Sequence, residues 1–271
     1  SVLPFLNITA YINRMISNPS SCCRVRAAAL LVIAVLSATR GSGQQGPFPP
    51  VMVHSNAFTI EEGLSQNSVS CVTKDSDGFI WVGTGNGLNR FDGYSFVHFS
   101  HSDKDSSSIS NNSIRDILLD SKDRLWVATY DGLNLYDSEK EAFRRFLNNP
   151  EDDNSISQNT ILYLLEDSNH QLWVGTYWGL NKIDLETFAV VRYHHHPDGT
   201  GLVNNAVNAI LEDRNGKIWA CTRNGISIIG PGGVERTIRN REAPEGLPSD
   251  VIVSIIQDST GAIYIGTNVN G

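Results

Sequence analysis

Hydrophobic and polar residues alternate with a period of two along most of this chain, in short runs separated by turn-forming residues. In one stretch the runs cover 113–119, 125–129, 133–136 and 142–146, and a tight turn at 130–132 contains Gly132. A period of two in runs rich in Val, Ile and Leu indicates β-strands, whereas Asp, Asn and Gly between them indicate turns. The pattern therefore predicts four short antiparallel strands joined by hairpins.

This four-strand pattern recurs along the chain. Each copy contains a motif that begins with an aspartate, and successive aspartates (Asp75, Asp120, Asp167, Asp213 and Asp258) are 45, 47, 46 and 45 residues apart. An aromatic residue follows each aspartate by six positions. These five aromatic residues are Trp81, Trp126, Trp173, Trp219 and Tyr264. A four-stranded unit of about 46 residues, repeated in tandem, is typical of a β-propeller blade.

The predicted fold is therefore all-β, a propeller of four-stranded antiparallel blades. We expect each repeated aromatic residue to fill the space between neighbouring blades, because one sheet cannot bury both of its faces alone. Small residues two positions later should let the sheets approach closely; they are Gly83, Ala128, Gly175, Cys221 and Gly266. A β-helix is the alternative architecture, but its rungs are shorter and parallel.

The propeller is predicted to be incomplete in these 271 residues. The last copy reaches Gly271 after two strands, and residues 57–60 (AFTI) resemble a lone fourth strand before the first full repeat. Such a strand would complete the final blade of a closed ring. We therefore expect about four and a half blades over 57–271, with further blades beyond Gly271.

The amino-terminal region has the composition of an export signal. Arg24 and Arg26 precede an apolar run at 27–38, and small residues follow at 41–43. A basic segment, an apolar core of this length and a small-residue exit are typical of a secretory signal peptide. We therefore predict an extension and signal peptide at 1–43, a linker at 44–56 and a periplasmic or extracellular body. A buried core helix is the alternative.

Charge and cysteine content exclude several classes of function. The chain has 21 Lys and Arg against 29 Asp and Glu, a net charge of −8. The first 43 residues hold four Arg and no acidic residue, so the rest carries 17 minus 29, or −12. Nucleic acids are not expected as partners of so acidic a body. Cys71 and Cys221 fall in different repeats, so neither a disulfide framework nor a zinc site is predicted.

Three phrases carry a resemblance to a known family: IWVGTGNGLNRFDG at 80–93, LWVATYDGLNLYD at 125–137 and LWVGTYWGLNKID at 172–184. They resemble two-component regulator propeller repeats, which form the periplasmic sensor region of hybrid histidine kinases of Bacteroidetes. Repeat four departs from the pattern, with ACT at 220–222 and a degenerate third strand, and repeat five has Tyr in place of Trp.

The resemblance implies the ectodomain of an inner-membrane receptor. Its parent would contain two propellers, an Ig-like domain, one membrane span after this region and a cytoplasmic kinase. ATP and Mg would serve that downstream kinase, and no cofactor is expected in these residues. A second receptor protomer is an implied partner. Related repeats also precede diguanylate cyclase domains, so the output domain is inferred only.

The turns between the second and third strands are the candidate ligand-binding positions. Their residues differ from copy to copy although the flanking motif repeats, and these turns should share one face of the propeller with the segments that link the blades. The candidates are Tyr130, Asp131, Tyr177, Trp178, Arg223 and Asn224. Aromatic faces combined with polar groups suit an oligosaccharide or another polar ligand. Alternatively, these are ordinary turn residues, or they contact a second protomer.

No catalytic or metal-binding set is predicted. Adjacent strand residues point to opposite faces, so His194, His195 and His196 do not converge on one ion. The acidic hairpins lack the ligand spacing of calcium loops. An exported lyase or glycosidase is the alternative to a sensor. It would need Asp131 and Arg223 as its only charged loop-tip groups, too few for an active site. A scaffold without a small-molecule ligand is the third hypothesis.

Overall fold

The computed structural model describes residues 57–240, 247 and 249–268. The predicted signal peptide at 1–43 and linker at 44–56 lie outside the described residues. The described part is built from eighteen β-strands and one short 3₁₀ helix. In this part of the chain, no helix has the length and apolar character needed to cross a bilayer.

The strands form four sheets of four strands and one sheet of two, which we call blades 1 to 5. Blade 1 comprises β1 (Val69–Lys74), β2 (Ile80–Thr84), β3 (Gly87–Phe91) and β4 (Phe96–Phe99). Blade 2 comprises β5 (Ile114–Leu119), β6 (Leu125–Thr129), β7 (Gly132–Asp137) and β8 (Ala142–Phe146). Blade 3 comprises β9 (Ile161–Glu166), β10 (Gln171–Thr176), β11 (Gly179–Asp184) and β12 (Val190–Tyr193). Blade 4 comprises β13 (Val207–Glu212), β14 (Ile218–Thr222), β15 (Gly225–Gly230) and β16 (Gly233–Ile238). Blade 5 comprises β17 (Ile252–Gln257) and β18 (Ile263–Thr267).

Every blade has its strands in chain order, and each neighbouring pair is antiparallel. The first strand of each blade also packs against the first strand of the next, which arranges the blades in sequence around a common axis. The all-β prediction is confirmed, and the strands of blade 2 lie within one residue of the predicted runs. The third strand of blade 4, whose motif is degenerate, still forms six residues of strand.

Hydrophobic cores lie between the blades, as predicted. Trp126 of blade 2 is fully buried in a cluster with Leu133 of its own blade and Leu164 and Leu172 of blade 3. Trp81 of blade 1 stands in the same relation to blade 2, with its ring centroid 5.0 Å from that of Tyr136. Neighbouring sheets therefore bury their facing sides against each other, which is the basis of propeller stability.

The small residues after the tryptophans are required by close approach. A Cβ on Gly83 would lie 2.5 Å from Sγ of Cys71 and 2.6 Å from Cγ2 of Ile114, which belongs to the next blade. A Cβ on Gly175 would lie 2.9 Å from the carbonyl oxygen of Val207, again in the next blade. The predicted close contact between sheets is confirmed at both positions.

The predicted strand at 57–60 is wrong. Residues 57–59 are irregular, and a 3₁₀ helix covers Ile60–Glu62. A capping box explains it: the Thr59 hydroxyl accepts a hydrogen bond from the Glu61 N–H, and the Glu62 carboxylate accepts from the Thr59 N–H at 2.7 Å. Phe58 instead packs its ring against Phe91, with centroids 4.8 Å apart.

Candidate ligand-binding face

The second-to-third-strand turns and the blade-linking segments lie on one face, which we call the loop face. In each of blades 1 to 4 the glycine that ends this turn donates its N–H to a carbonyl in the linker before the next blade. The four bonds are Gly87 to Asn112 (2.7 Å), Gly132 to Asn159 (2.7 Å), Gly179 to Asn205 (2.8 Å) and Gly225 to Asp250 (2.7 Å). The loop face is therefore tied together across every blade boundary.

Buried polar side chains form hydrogen bonds with the backbone in and around each turn. In blade 2 the Thr129 hydroxyl donates to the Gly132 carbonyl at 2.9 Å and accepts from the Asp131 N–H. Buried Asn134 accepts from the Ser110 N–H and donates to the Val127 carbonyl. Blades 1 and 3 have the same threonine and asparagine, as Thr84 with Asn89 and Thr176 with Asn181. In blade 4 serine takes the place of asparagine, as Thr222 with Ser227. The scaffold is thus repeated, whereas the turn tips vary.

The turn of blade 2 presents Tyr130 and Asp131. The Tyr130 side chain is 42% exposed, and the Arg115 guanidinium lies 4.9 Å from its ring centroid. Asp131 accepts a hydrogen bond of 2.9 Å from the side-chain amide of Asn159 in the next linker. Tyr130 therefore offers an accessible ring, whereas Asp131 is already hydrogen-bonded across the blade boundary.

The turns of blades 3 and 4 bring the other candidates together. The Arg223 guanidinium lies 4.7 Å from the centroid of the Tyr177 ring and donates to the Tyr177 hydroxyl at 2.9 Å. This cation–π pair joins two predicted residues from neighbouring blades. Trp178, beside Tyr177, is 59% exposed, and Asn224 follows Arg223 at an exposed turn position. Tyr177 and Arg223 are thus in contact, and Trp178 and Asn224 are their exposed neighbours in the chain.

The sequence prediction missed Arg115, which lies at the start of β5 next to the blade 2 turn. It occupies the second position of the first strand, where the other blades have Ser70, Leu162, Asn208 and Val253. A comparison of the five repeats could have identified it, because Arg115 is the single charged residue at this position.

The aspartates that begin each motif have a structural role, and they lie on the face opposite the loop face. In blades 1 to 4 one carboxylate oxygen of this aspartate accepts the indole N–H of the tryptophan six residues later. The four bonds are Asp75 to Trp81 (2.7 Å), Asp120 to Trp126 (2.9 Å), Asp167 to Trp173 (2.7 Å) and Asp213 to Trp219 (2.9 Å). The other oxygen accepts turn N–H groups. These carboxylates therefore stabilise the fold.

The remaining candidates for chemistry are dispersed. His195 contacts the Leu202 carbonyl through Nδ1 at 2.7 Å, whereas burial and nearby Arg192 lower the pKa of His194. Across the described residues, no group of three His, Cys, Asp or Glu is placed to hold a metal ion. Cys71 and Cys221 are both buried, and burial raises the pKa of Cys221 far above its usual value.

A shallow groove of about 300 Å³ runs along the outer strands β8 and β12. Arg144 lies there with its guanidinium 4.7 Å from the Phe146 ring centroid and 4.6 Å from that of Phe188. The groove contains none of the six predicted binding residues, so it is distinct from the surfaces described above.

Comparison with known families shows what the repeats resemble. The family model described as two component regulator propeller matches residues 63–86, 108–131, 155–178, 201–224 and 246–269. The first four matches each run from a blade linker to the tip of the following second-to-third-strand turn. They therefore contain the loop-face candidates of blades 2, 3 and 4.

One curated relative is histidine kinase P4 of Formosa agariphila, 47% identical over 53 residues, which are 20% of this chain and 4% of the relative. Among solved structures, the extracellular domain of the hybrid two component system BT3049 of B. thetaiotaomicron is 25% identical, with a TM-score of 0.50. That alignment covers 78% of this chain and 40% of the other. The extracellular domain of BT4673 from the same organism is 26% identical, with a TM-score of 0.59 over 72% of this chain and 28% of the other. The chain thus spans less than half of each of these proteins.

Proposed function

The chain belongs to the two-component regulator propeller family, and we propose that it is the ligand-sensing propeller in the extracytoplasmic region of a transmembrane two-component receptor. The observation that carries this proposal is the similarity to extracellular domains of hybrid two component systems over 72–78% of this chain. A histidine kinase relative is also 47% identical to this chain over 53 residues. We place the propeller in the periplasm, as the ectodomain of an inner-membrane protein.

The loop face supplies the chemistry that sensing requires. Its scaffold is fixed by repeated hydrogen bonds, and its tips carry the exposed ring of Trp178 and the stacked Tyr177–Arg223 pair. Aromatic rings pack against the apolar faces of sugar rings, whereas guanidinium and amide groups bond hydroxyls and carboxylates. We propose that the ligand is an oligosaccharide or another polar molecule of similar size.

The receptor proposal also defines partners outside the described residues. A histidine kinase domain would use ATP and Mg, and a second protomer would form the signalling dimer. A diguanylate cyclase or another output domain is the alternative within the same receptor class. An exported lyase or glycosidase is less well supported, because Asp131 and Arg223 are engaged with Asn159 and Tyr177 respectively.

Ligand binding can be tested by calorimetry on the full chain with a panel of neutral and acidic oligosaccharides. We expect at least one member to bind, and Trp178→Ala to weaken that binding about tenfold or more, since stacking and burial of one ring contribute over 1 kcal/mol. Tyr94→Ala is the matched control, because Tyr94 is an exposed aromatic residue in the third-to-fourth-strand turn of blade 1. An equal effect of both substitutions would contradict a binding role for the loop face.

The receptor part is tested by the coding sequence that follows Gly271. A membrane span followed by a phosphoacceptor-histidine helix and an ATP-binding domain is the expected result. A stop codon soon after ring closure would instead favour an exported propeller. Mass spectrometry of the bound saccharide after incubation would then separate an enzyme, which alters the saccharide, from a sensor, which returns it unchanged.

A further inference from the structure

The second residue of every first strand is the extra residue of a β-bulge. In blade 2 Ile114 pairs with Thr129 and Asp116 with Ala128, so Arg115 has no partner in β6. The same shift occurs in the other four blades. A bulge re-aims the side chain of its extra residue. The five bulged residues are Ser70, Arg115, Leu162, Asn208 and Val253.

Polar bulge residues in two blades bridge to the next blade. The Ser70 hydroxyl donates to the Ile114 carbonyl at 2.8 Å, and the Asn208 amide donates to the Ile252 carbonyl at 2.9 Å. Arg115 makes no such bond. Its guanidinium contacts the Tyr130 ring, and within the described chain none of its five N–H donors has a protein acceptor.

The other partly buried arginines each have hydrogen-bond partners, although Nη2 of Arg124 is, like Nε of Arg115, buried without an acceptor. Arg90 bonds the Tyr136 hydroxyl and Glu141, and Arg145 and Arg192 each donate to linker carbonyls. The Nε atom of Arg115 is itself buried without an acceptor. Removing a charged donor from water without replacing its hydrogen bonds is costly, so such a group is suited to an external acceptor.

A second unpartnered atom lies at the same blade boundary. Oε1 of Gln158 is buried without a donor. Gln158 directly precedes Asn159 and Thr160, whose carbonyl and hydroxyl bond the backbone of the Tyr130–Gly132 turn at 2.7 and 3.2 Å. Gln158 therefore belongs to the linker that holds the turn carrying the exposed Tyr130 ring.

We propose that this boundary between blades 2 and 3 is a subsite for a uronate, a sugar that carries a carboxylate. The planar fork of Arg115 matches a carboxylate, and Tyr130 packs against the sugar ring. One guanidinium at this boundary, on a chain of net charge −8, suits an isolated carboxylate better than a polyphosphate or a heavily sulfated polymer. The inference rests on the proposed sensing function and specifies its ligand class.

The test compares uronate oligosaccharides with their carboxyl-reduced forms, which keep the linkages and lose the charge. Calorimetry on the full chain should show binding of an acidic oligomer and a loss of about tenfold or more on carboxyl reduction. Arg115→Leu should cause a similar loss. This variant is expected to fold, because blade 3 has Leu162 at the same bulge. Arg115→Lys, which keeps the charge without the fork, should be intermediate.

Arg144→Leu is the matched control, since Arg144 also contacts aromatic rings but lies in the outer groove. It should bind the acidic oligomer like the unaltered chain. If the reduced oligomer binds as tightly as the acidic one, or Arg115→Leu binds normally, the uronate subsite is wrong. Binding of neutral saccharides alone would overturn this inference and leave the sensing proposal intact. If no saccharide binds, both proposals for the ligand fail.

Discussion

At the scale of single residues, the carboxylate of Asp120 shows how a repeat motif stabilises a blade. The side chain is buried, and its Oδ2 accepts hydrogen bonds from the Trp126 indole at 2.9 Å and from Nε of Arg124 at 2.7 Å. Its Oδ1 accepts from the backbone N–H groups of Lys122 and Arg124. One side chain thus shapes the hairpin and orients the ring that fills the space between blades.

Removing this carboxylate should destabilise the chain strongly. We expect Asp120→Ala to lower the free energy of unfolding by about 3 kcal/mol, because it leaves the buried Trp126 N–H and Nε of Arg124 without their acceptor. Asp258→Ala is the control at the same repeat position, where the partner Tyr264 is 59% exposed. Water can replace that bond, so a loss of about 1 kcal/mol is expected. Equal losses in urea denaturation would contradict the argument.

Asp184 makes stability depend on pH. The N–H of Thr187, followed by the Gln171 side chain, lowers its pKa from 3.8 to about 2. The folded state therefore binds this proton more weakly than the unfolded state. The stabilisation is complete above pH 3.8 and is lost as the pH falls to about 2.

We expect the melting temperature to fall across this acidic window and Asp184→Asn to make the fall shallower. Asp77→Asn, at an exposed hairpin position, should leave the profile unchanged. A profile for Asp184→Asn that overlays that of the unaltered chain would contradict this assignment.

At the scale of elements, the turn that carries Tyr177 and Trp178 depends on Gly179. Its φ of +120° is a conformation that side-chain-bearing residues rarely adopt, and a Cβ there would lie 2.7 Å from the Tyr193 carbonyl oxygen. We predict that Gly179→Ala lowers the free energy of unfolding by about 3 kcal/mol. Gly78→Ala, with a φ of +96° and no atom within 4 Å of its Cβ, should cost only about 1 kcal/mol.

Strands were predictable from sequence because each one has its own period-two pattern and repeats in phase. The segment at 57–60 was mispredicted because a local capping box overrides the strand propensity of Phe, Thr and Ile; the signature was Thr59 followed three residues later by Glu62. The Asp–Trp bonds and the Tyr177–Arg223 pair depend on side-chain geometry between elements. Hydrophobic periodicity does not reveal such contacts. The sequence therefore identified the loop-face residues but not which of them contact each other.

At the scale of the whole molecule, burial of the repeated aromatic residue changes along the chain. Trp81, Trp126 and Trp173 are at most 4% exposed, whereas Tyr264 in blade 5 is 59% exposed. Ile256 of the same blade is 53% exposed. Within the described residues, the face of blade 5 that carries Tyr264 and Ile256 is therefore not covered by a neighbouring blade, and β18 pairs with β17 alone. Exposed apolar faces and unpaired strand edges promote association between copies.

We therefore predict that this chain associates in a concentration-dependent manner, measurable by sedimentation velocity. Ile256→Lys should shift it toward the monomer, because it places a charge in the middle of the exposed face without removing a buried contact. Tyr94→Lys is the control, since Tyr94 is even more exposed but lies in a hairpin turn of blade 1. A monomeric chain with a sharp cooperative melt would show that blade 5 is stable without a neighbour. It would then follow that the four interfaces between successive blades, from blade 1 to blade 5, are sufficient to keep the described blades folded.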